Sequence, residues 1–600
     1  MNHKKLLLTL TLCLCALLCM VVTASASEVQ NTGSHSHELC KKTVCTNPEH
    51  IKSGTHGSVT FATELRQVGD KLYIDDNEWT YNNNVGYVLP AGNYYLGTDL
   101  TLDHQIRISN SQEVKVTLCL NGKTITCTEN YDAVIQTPTT YPVEFTLCDC
   151  RPSDSVGKIT HANGIRGVGV ELKNNNAVND VAHKFIMYNG CITGNKTTNG
   201  AGVFLYSNTT FTMYGGSITE NECNSDTHLP CGGGVYVHNG ATFTMYGGDI
   251  TKNQADYGGG VSTSGDTANF TMYGGSITEN HANKSGGGIY STSNNISIYG
   301  GGVTNNSVTK TGNAGGIYVS SSDTLTVGGN VNISGNWQGD SKESGSKSNV
   351  YLNGNTSGSS ATIVIEKKLT GENSRIGVTT ATSVATTPNA SVKIAAGKGT
   401  YAITDEDKGH FTPDTGYCEV QKKDDGALYL THVHSGGEAT CTAAAKCGGC
   451  SQPYGNTNPN NHALVHHEAQ APTCTAVGWE AYDTCSRCTY TTYREIPAAH
   501  TYGGTWVKGQ DGHWKVCEVC QNRSEVEPHN WRDATTSAPK TCTVCGATTG
   551  TKLSAYYYYS PAKTEDTPAS PKAGDPGVLL YAGLALASLT GLACTAKKRH

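Results

Sequence analysis

From Phe185 to about Trp337 short runs of alternating apolar and polar residues recur in one written pattern. The copies read FIMYNGCITGN, FTMYGGSITEN, FTMYGGDITKN, FTMYGGSITEN and ISIYGGGVTNN, then a worn LTVGGNVNISGN. Between them stand GAGVFL, GGGVYV, GGGVST, GGGIYS and AGGIYV. Met187, Met213, Met245 and Met272 occupy one slot of the pattern, at intervals of 26, 32 and 27 residues. A period of that size predicts a solenoid, in which each unit buries its apolar face against its neighbours. The unit is β. Phe211 and Met213 alternate with Thr212 and Tyr214, Gly215-Gly216 breaks the run, Ser217-Ile218-Thr219 alternates again, and Val235-Tyr236-Val237 follows a loop. Three short strands with glycine corners describe one coil of a parallel β-helix, with Phe211, Met213, Ile218 and Val235 pointing inward.

Two rows should then run along the stack. Asn195, Asn221, Asn253, Asn280, Asn306 and Asn336 end the SITEN phrase. An asparagine stacked at a turn can bond both the turn backbone and the next coil. Tyr188, Tyr214, Tyr246, Tyr273 and Tyr299 form a second row beside the corner. Of these, Tyr214, Tyr246 and Tyr273 are the candidate ligand strip, because exposed aromatic rings stack on sugars. The alternative is that the tyrosines merely cover the corner.

The coils before the regular part are readable but uneven. Cys119 and Cys148 fall in matching TLC phrases and are expected on neighbouring coils, as a bridge or as stacked thiols. Cys223 and Cys231 bracket the insertion that stretches one repeat, where a bridge would brace the loop. After Trp337, NVYLNG, ATIVIE, SVKIAA and ALYLTH read as closing coils, since an open solenoid end needs a cap.

On these repeats the chain resembles the pectate-lyase-type right-handed parallel β-helix of wall-anchored surface proteins in Gram-positive bacteria, over residues 61–432. The expected fold class is therefore all-β: a right-handed parallel β-helix, then small Cys/His zinc-ribbon-like modules and a C-terminal transmembrane helix. The segments expected are a signal peptide (1–26), a His/Cys segment (27–60), the β-helix (61–432), Cys/His modules (433–550), a linker with a sorting-like motif (551–575) and a membrane span with basic tail (576–600).

The two ends carry this reading. Lys4-Lys5, the apolar run Leu6 to Val22 and Ala24-Ser25-Ala26 have the layout of a secretory signal. Ser570-Pro571-Lys572-Ala573-Gly574 is similar to a sortase sorting signal, with serine and alanine where leucine and threonine are usual. An apolar span, Gly577 to Ala596, and Lys597-Lys598-Arg599 follow it. Sortase and cell-wall peptidoglycan are the partners this implies; a plain membrane anchor is the alternative. Both place the bulk of the protein at the extracellular cell surface.

Cysteine and histidine concentrate from His434 to Cys545. Cys447-x2-Cys450 is trailed by His462 and preceded by Cys441; Cys485-x2-Cys488 is trailed by His500 and preceded by Cys474. His513, Cys517, Cys520 and His529 form a third set, and Cys542-x2-Cys545 a fourth pair. A four-cysteine grouping of Cys517, Cys520, Cys542 and Cys545 is a rival partition. Two intervening residues let both thiolates of a knuckle reach one tetrahedral ion, so structural zinc is expected. Disulfides are the competing reading, but they have no use for the recurring histidine. Near the start, Cys40 and Cys45 flanked by His35, His37 and His50 allow either a zinc site or a disulfide.

Composition narrows the function. With 69 glycines, 37% hydrophobic and 16% charged residues and a net charge of −7, the chain suits an elongated β protein and offers no basic tract for nucleic acid. Lyases of this fold need clustered aspartates for calcium with an Arg or Lys base, and its hydrolases need paired carboxylates on neighbouring coils. In the regular coils Asp249 stacks against Ser217 and Ser276, and Glu220 against Lys252, so no catalytic residues are assigned. Asp149, Asp154, Glu171 and Arg166 in the uneven coils stay as candidates, while the Glu222 to Pro230 insertion, whose chemistry is Glu222, Asp226 and His228, is where specific recognition is expected. The expectation is a displayed, non-catalytic adhesin or glycan-binding surface protein; a polysaccharide lyase or glycoside hydrolase is the alternative, and a passive stalk the third.

Overall fold

The computed structural model describes residues 35–39, 48 and 57–555, apart from 83–84, 109–112, 131, 153–154, 175–180, 199, 225–230, 294, 322 and 355–360. The leader, Cys40, Cys45, His50, Asp154, Asp226, His228, the sorting-like motif and the apolar span after it lie outside the described residues. Among the described residues no helix is long and apolar enough to cross a membrane. The chain divides into two units, Met1–Asn461 and His462–His600.

The first unit is an all-β solenoid of right-handed type with about 11 turns. Each regular coil contributes three strands to three parallel sheets. Thr209–Met213 pairs with His183–Met187 below and Thr242–Met245 above. Ser217–Thr219 and Val235–Val237 pair likewise with their counterparts. The register matches the written repeat residue for residue: Phe185↔Phe211↔Phe243↔Phe270, Ile192↔Ile218↔Ile250↔Ile277 and Val203↔Val235↔Val261↔Ile289. These side chains are fully buried. The phenylalanine rings lie 4.6–4.9 Å apart, stacked, with the methionines in the adjoining inward slot. The core is thus a set of ladders set by the inter-strand spacing.

A fourth, shorter sheet was not legible in the repeat. Lys196–Thr197, Glu222–Cys223, Gln254–Tyr257, His281–Ser285, Ser307–Val308 and Trp337–Gln338 stack in parallel just past the asparagine corner. Cys223 lies in it and forms a disulfide with Cys231 across the insertion, in the place the spacing suggested.

The corner itself is closed by asparagine. Asn221 Nδ2 donates to Asn253 Oδ1 (3.0 Å) and to the Ile192 carbonyl (3.0 Å), while its backbone N–H donates to the same Oδ1 (3.0 Å). The motif repeats through Asn195, Asn253, Asn280, Asn306 and Asn336 and then Asn349. His161 stands in the first place, its Nδ1 donating to Asn195 Oδ1 (2.7 Å), and Asp414 in the last, accepting the Asn349 N–H at 2.7 Å. The residue before each asparagine is left-handed: Gly194, Glu220, Lys252, Glu279, Asn305 and Gly335 have φ of 55–69°. Glycine is required at another corner. At Gly248 (φ +86°) a Cβ would come 2.7 Å from the Gly216 carbonyl.

Antiparallel strands close both ends. Thr63–Val68 pairs with Lys71–Ile74 at the start, and Leu428–His432 with Ser391–Gly397 and Cys418–Lys422 at the finish. Parallel coils would otherwise present an open edge at each end. Among the described residues the second unit has no such core. It consists of small hairpins: Leu464–His467 with Tyr482–Cys485, Tyr502–Lys508 with His513–Cys517, and Trp531–Arg532 with Lys540–Cys542.

Candidate metal centres

The hairpins of the second unit have one design. A strand begins two residues after a histidine and pairs antiparallel with a strand that ends on the first cysteine of a Cys-x2-Cys knuckle. His462 precedes Leu464, which pairs with Cys485; His500 precedes Tyr502, which pairs with Cys517; His529 precedes Trp531, which pairs with Cys542. Antiparallel pairing therefore brings each histidine to the knuckle that follows it in sequence. Nδ1 of His462 lies 3.3 Å from Cys488 Sγ, Nδ1 of His500 3.2 Å from Cys520 Sγ, and Nδ1 of His529 3.4 Å from Cys545 Sγ.

This geometry corrects the partition expected from the spacing. The knuckle does not take the histidine that trails it; that histidine belongs to the next one. The rival four-cysteine grouping is not formed either. In the second unit the sets are Cys474, His500, Cys517 and Cys520, then His513, His529, Cys542 and Cys545, with donor atoms within 4.8 Å of one another. His462, Cys485 and Cys488 come together in the same way. The fourth donors arrive from elsewhere. Cys474 Sγ lies 3.3 Å from Cys517 Sγ. His513 is brought beside His529 by its two backbone hydrogen bonds with Glu527 (both 2.8 Å), and its Nδ1 is 3.9 Å from Cys542 Sγ.

In the first unit His432, His434, Cys447 and Cys450 converge at the end of the solenoid. His432 is the last residue of the cap strand Leu428–His432. Its Nδ1 donates to the Val384 carbonyl (3.0 Å), which leaves Nε2 to face Cys447 Sγ at 3.7 Å. His434 Nδ1 is 3.4 Å from Cys450 Sγ. Cys441, expected in this set, stands apart from it on the turn Thr440–Ala443, where Thr440 Oγ1 accepts from Ala443 N–H (3.0 Å). Cys474 sits in the matching turn of the next repeat, with Thr473 Oγ1 accepting from Ala476 N–H (3.0 Å).

The donor sets suit a tetrahedral thiophilic cation. Metal–sulfur and metal–nitrogen bonds of about 2.3 and 2.0 Å imply donor–donor edges of roughly 3.3–3.8 Å. The closest donor pairs, at 3.2–3.9 Å, are of that size. The knuckles also favour thiolate. Burial opposes ionisation of Cys447, but the N–H groups of Cys450 and Ser435 and the His434 ring more than offset it, holding the thiol down to about 5. The Cys520 N–H does the same for Cys517, down to about 6. At Cys542 burial is again outweighed by the N–H groups of Cys545 and Val544, giving about 6. Several of these groups could hold a metal ion.

The tyrosine strip is real but differently disposed from the expected platform. Rings of Tyr188, Tyr214, Tyr246, Tyr273 and Tyr299 stack on one another at 5.0–5.4 Å. Their faces cover each other, and the Tyr299 hydroxyl donates to Glu366, while Tyr273 is 46% exposed. A sugar ring has no open aromatic face between them.

Among the catalytic and recognition candidates, Asp149 is occupied by backbone: its carboxylate accepts N–H groups of Arg151 (2.7 Å) and Gly157 (2.7 Å). Arg166 is exposed. Glu222 pairs with Lys196 at 2.9 Å. Glu171 is buried and takes a hydrogen bond from Gln136, whose register neighbour on the other side is Arg107. Comparison with known proteins returns nothing: no family model, no curated protein and no solved structure matches this chain.

Proposed function

We propose that the chain is a cell-surface-displayed, non-catalytic β-solenoid, an adhesin or glycan-binding protein carried on a string of zinc-stabilised modules. The observation that carries this reading is that these outward rows of the regular coils set no two acidic residues side by side. Cys191, Ser217, Asp249 and Ser276 are successive neighbours on one face, and Glu222 is followed by Gln254 and His281 on another. An active site on a solenoid normally shows as a local break in such rows. Zinc in the three knuckles after His462 would fold the hairpins of residues 462–555, which lack an apolar core of their own. Anchoring at Ala573 by sortase to peptidoglycan, or in the membrane through 576–600, rests on the order of motif, apolar span and basic tail in the sequence. The ligand, a glycan or host-surface molecule, would meet the stack at exposed Tyr273 rather than open ring faces.

The lyase or hydrolase reading keeps one specific foothold: the line of half-buried Arg107 and buried Gln136 and Glu171 across three uneven coils. One experiment addresses both. The secreted chain is screened on a glycan array and incubated with acidic polysaccharides, watching for new reducing or unsaturated ends. Retention weakened by Tyr246→Ala with Tyr273→Ala, and no new ends, is the expected result. Turnover abolished by Glu171→Gln would establish the enzyme instead.

A further inference from the structure

The tyrosine row has a break at its beginning. Tyr188 follows Met187, which is in register with Leu147, so the next coil places Cys148 in the tyrosine slot. Cys148 is in register with Cys119, and Cys119 with Tyr95. The row therefore reads Tyr95, Cys119, Cys148, Tyr188 and onward. These are outward positions, yet both cysteines are 0% exposed. What covers them is the N-terminal hairpin, His35–Glu38 paired with Ser58–Phe61, whose Phe61 packs with Tyr95, Cys119 and Cys148.

His37 comes down from that hairpin onto the thiols. Its ring stacks on Phe61 at 4.7 Å. Nδ1 lies 2.8 Å from the Glu38 carbonyl, to which it can only donate, so Nε2 carries the lone pair. Nε2 faces Cys119 Sγ at 3.2 Å. Cys150, two residues past Cys148 on the neighbouring coil, completes the group, and the three donor atoms lie within 4.8 Å of one another. A histidine with one nitrogen fixed by a carbonyl and the other turned on a thiol has the arrangement of a metal ligand with its outer support in place.

We propose that His37, Cys119 and Cys150 form a separate metal centre for a thiophilic divalent cation, which pins the N-terminal hairpin to the flank of the solenoid. It is independent of the knuckles: its ligands come from the N-terminal hairpin and from two neighbouring coils of the solenoid itself. Binding releases the thiol protons of Cys119 and Cys150, and the cation takes the place of the proton now shared between Cys119 Sγ and His37 Nε2. Three protein donors leave a fourth position for water.

The test uses the full chain, freed of metal and reloaded with Co2+ alone, with metal content counted and the thiolate-to-cobalt absorption recorded. His37→Ala and the pair Cys119→Ser with Cys150→Ser should each bind one equivalent less than the unaltered chain. His37→Cys should restore it with a stronger sulfur band. His37 lies outside the solenoid, so its variants report even where the double cysteine variant does not fold. Equal metal content in His37→Ala and the unaltered chain would overturn the proposal. So would a disulfide from Cys119 to Cys148 or Cys150 in the metal-loaded protein.

Discussion

His513 and Cys517 are the first and last residues of one five-residue strand, and they serve different donor sets. His513 faces His529, Cys542 and Cys545; Cys517 faces Cys474, His500 and Cys520. The strand is short and hydrogen-bonded on one side to Tyr502–Lys508, so it cannot reposition one end without the other. Metal at one set should therefore preorganise its neighbour. Cys517→Ser is expected to abolish binding at its own set and to weaken the His513 set by about tenfold, the size of an outer-support effect. Native mass spectrometry of stepwise Co2+ loading reads both. Unchanged affinity at the His513 set would show that the two sets are independent.

Chelation should act on one part of the chain only. The solenoid core is a continuous stack of buried ladders, whereas the described hairpins of the second unit hold few fully buried side chains, among them Cys517, Cys542 and His513. A strong chelator at neutral pH should remove amide protection from Tyr502–Lys508 and His513–Cys517 while Thr242–Met245 keeps its own. Hydrogen exchange with mass spectrometry is the check. Protection retained throughout residues 502–517 without metal would mean the hairpins are held by something else.

How much of this was legible depends on the kind of regularity involved. The solenoid was readable to the residue because Phe243, Met245 and Ile250 recur at one period, and register follows once the strand period of two is fixed. The fourth sheet was not, since Glu222–Cys223 and Gln254–Tyr257 differ in length and share only one buried small residue per strand, Cys223 opposite Ala255, too short a signal to read as a strand. In the Cys/His part the donor types could be read but not their grouping. Spacing joined Cys485 and Cys488 to His500, fewer residues away than His462; hairpin pairing joins what lies across a turn, which sequence distance does not reveal. The phrases HALV, HTYG and HNWR carried the signal, each a histidine two residues before a strand. His432 was hidden in a strand assigned to the closing coils, and His37 has partners more than eighty residues away.

The asparagine corner separates two adjacent residues by sign of effect. Asn253 Oδ1 accepts from the backbone and side chain of Asn221, and its Nδ2 donates to Asn280 Oδ1 and the Ile218 carbonyl, all at 2.9–3.0 Å and all buried. Asn253→Ala strands two Asn221 donors without water, so a loss of roughly 3–5 kcal/mol is expected from the denaturant midpoint of the solenoid. Lys252, one residue earlier, has φ +56°. Gly194 and Gly335 fill that slot elsewhere. Lys252→Gly removes the left-handed strain but frees the unfolded chain, leaving a net gain of about 0.5 kcal/mol or less. A Lys252→Gly variant as unstable as Asn253→Ala would contradict this account of the corner.

Acid should weaken the solenoid through its buried histidines. His183 is 0% exposed, and burial pushes its pKa down to about 4, with carbonyls of Lys173 and Pro138 offsetting only part of that. His161 and His281 are lowered by burial in the same direction. The unfolded chain takes up a proton at each near pH 6.5, while folded His183 does not until about pH 4. Between those values the unfolded state binds more protons, so stability is full above pH 6.5 and falls as pH drops through the window. For His183 alone the loss is about 1.4 kcal/mol per pH unit, on the order of 3 kcal/mol by pH 4. His183→Gln cannot titrate. Its melting temperature should therefore fall less between pH 6.5 and pH 4.5 than that of the unaltered chain, whatever its value at pH 7. Two profiles of equal slope would place the acid sensitivity elsewhere in the solenoid.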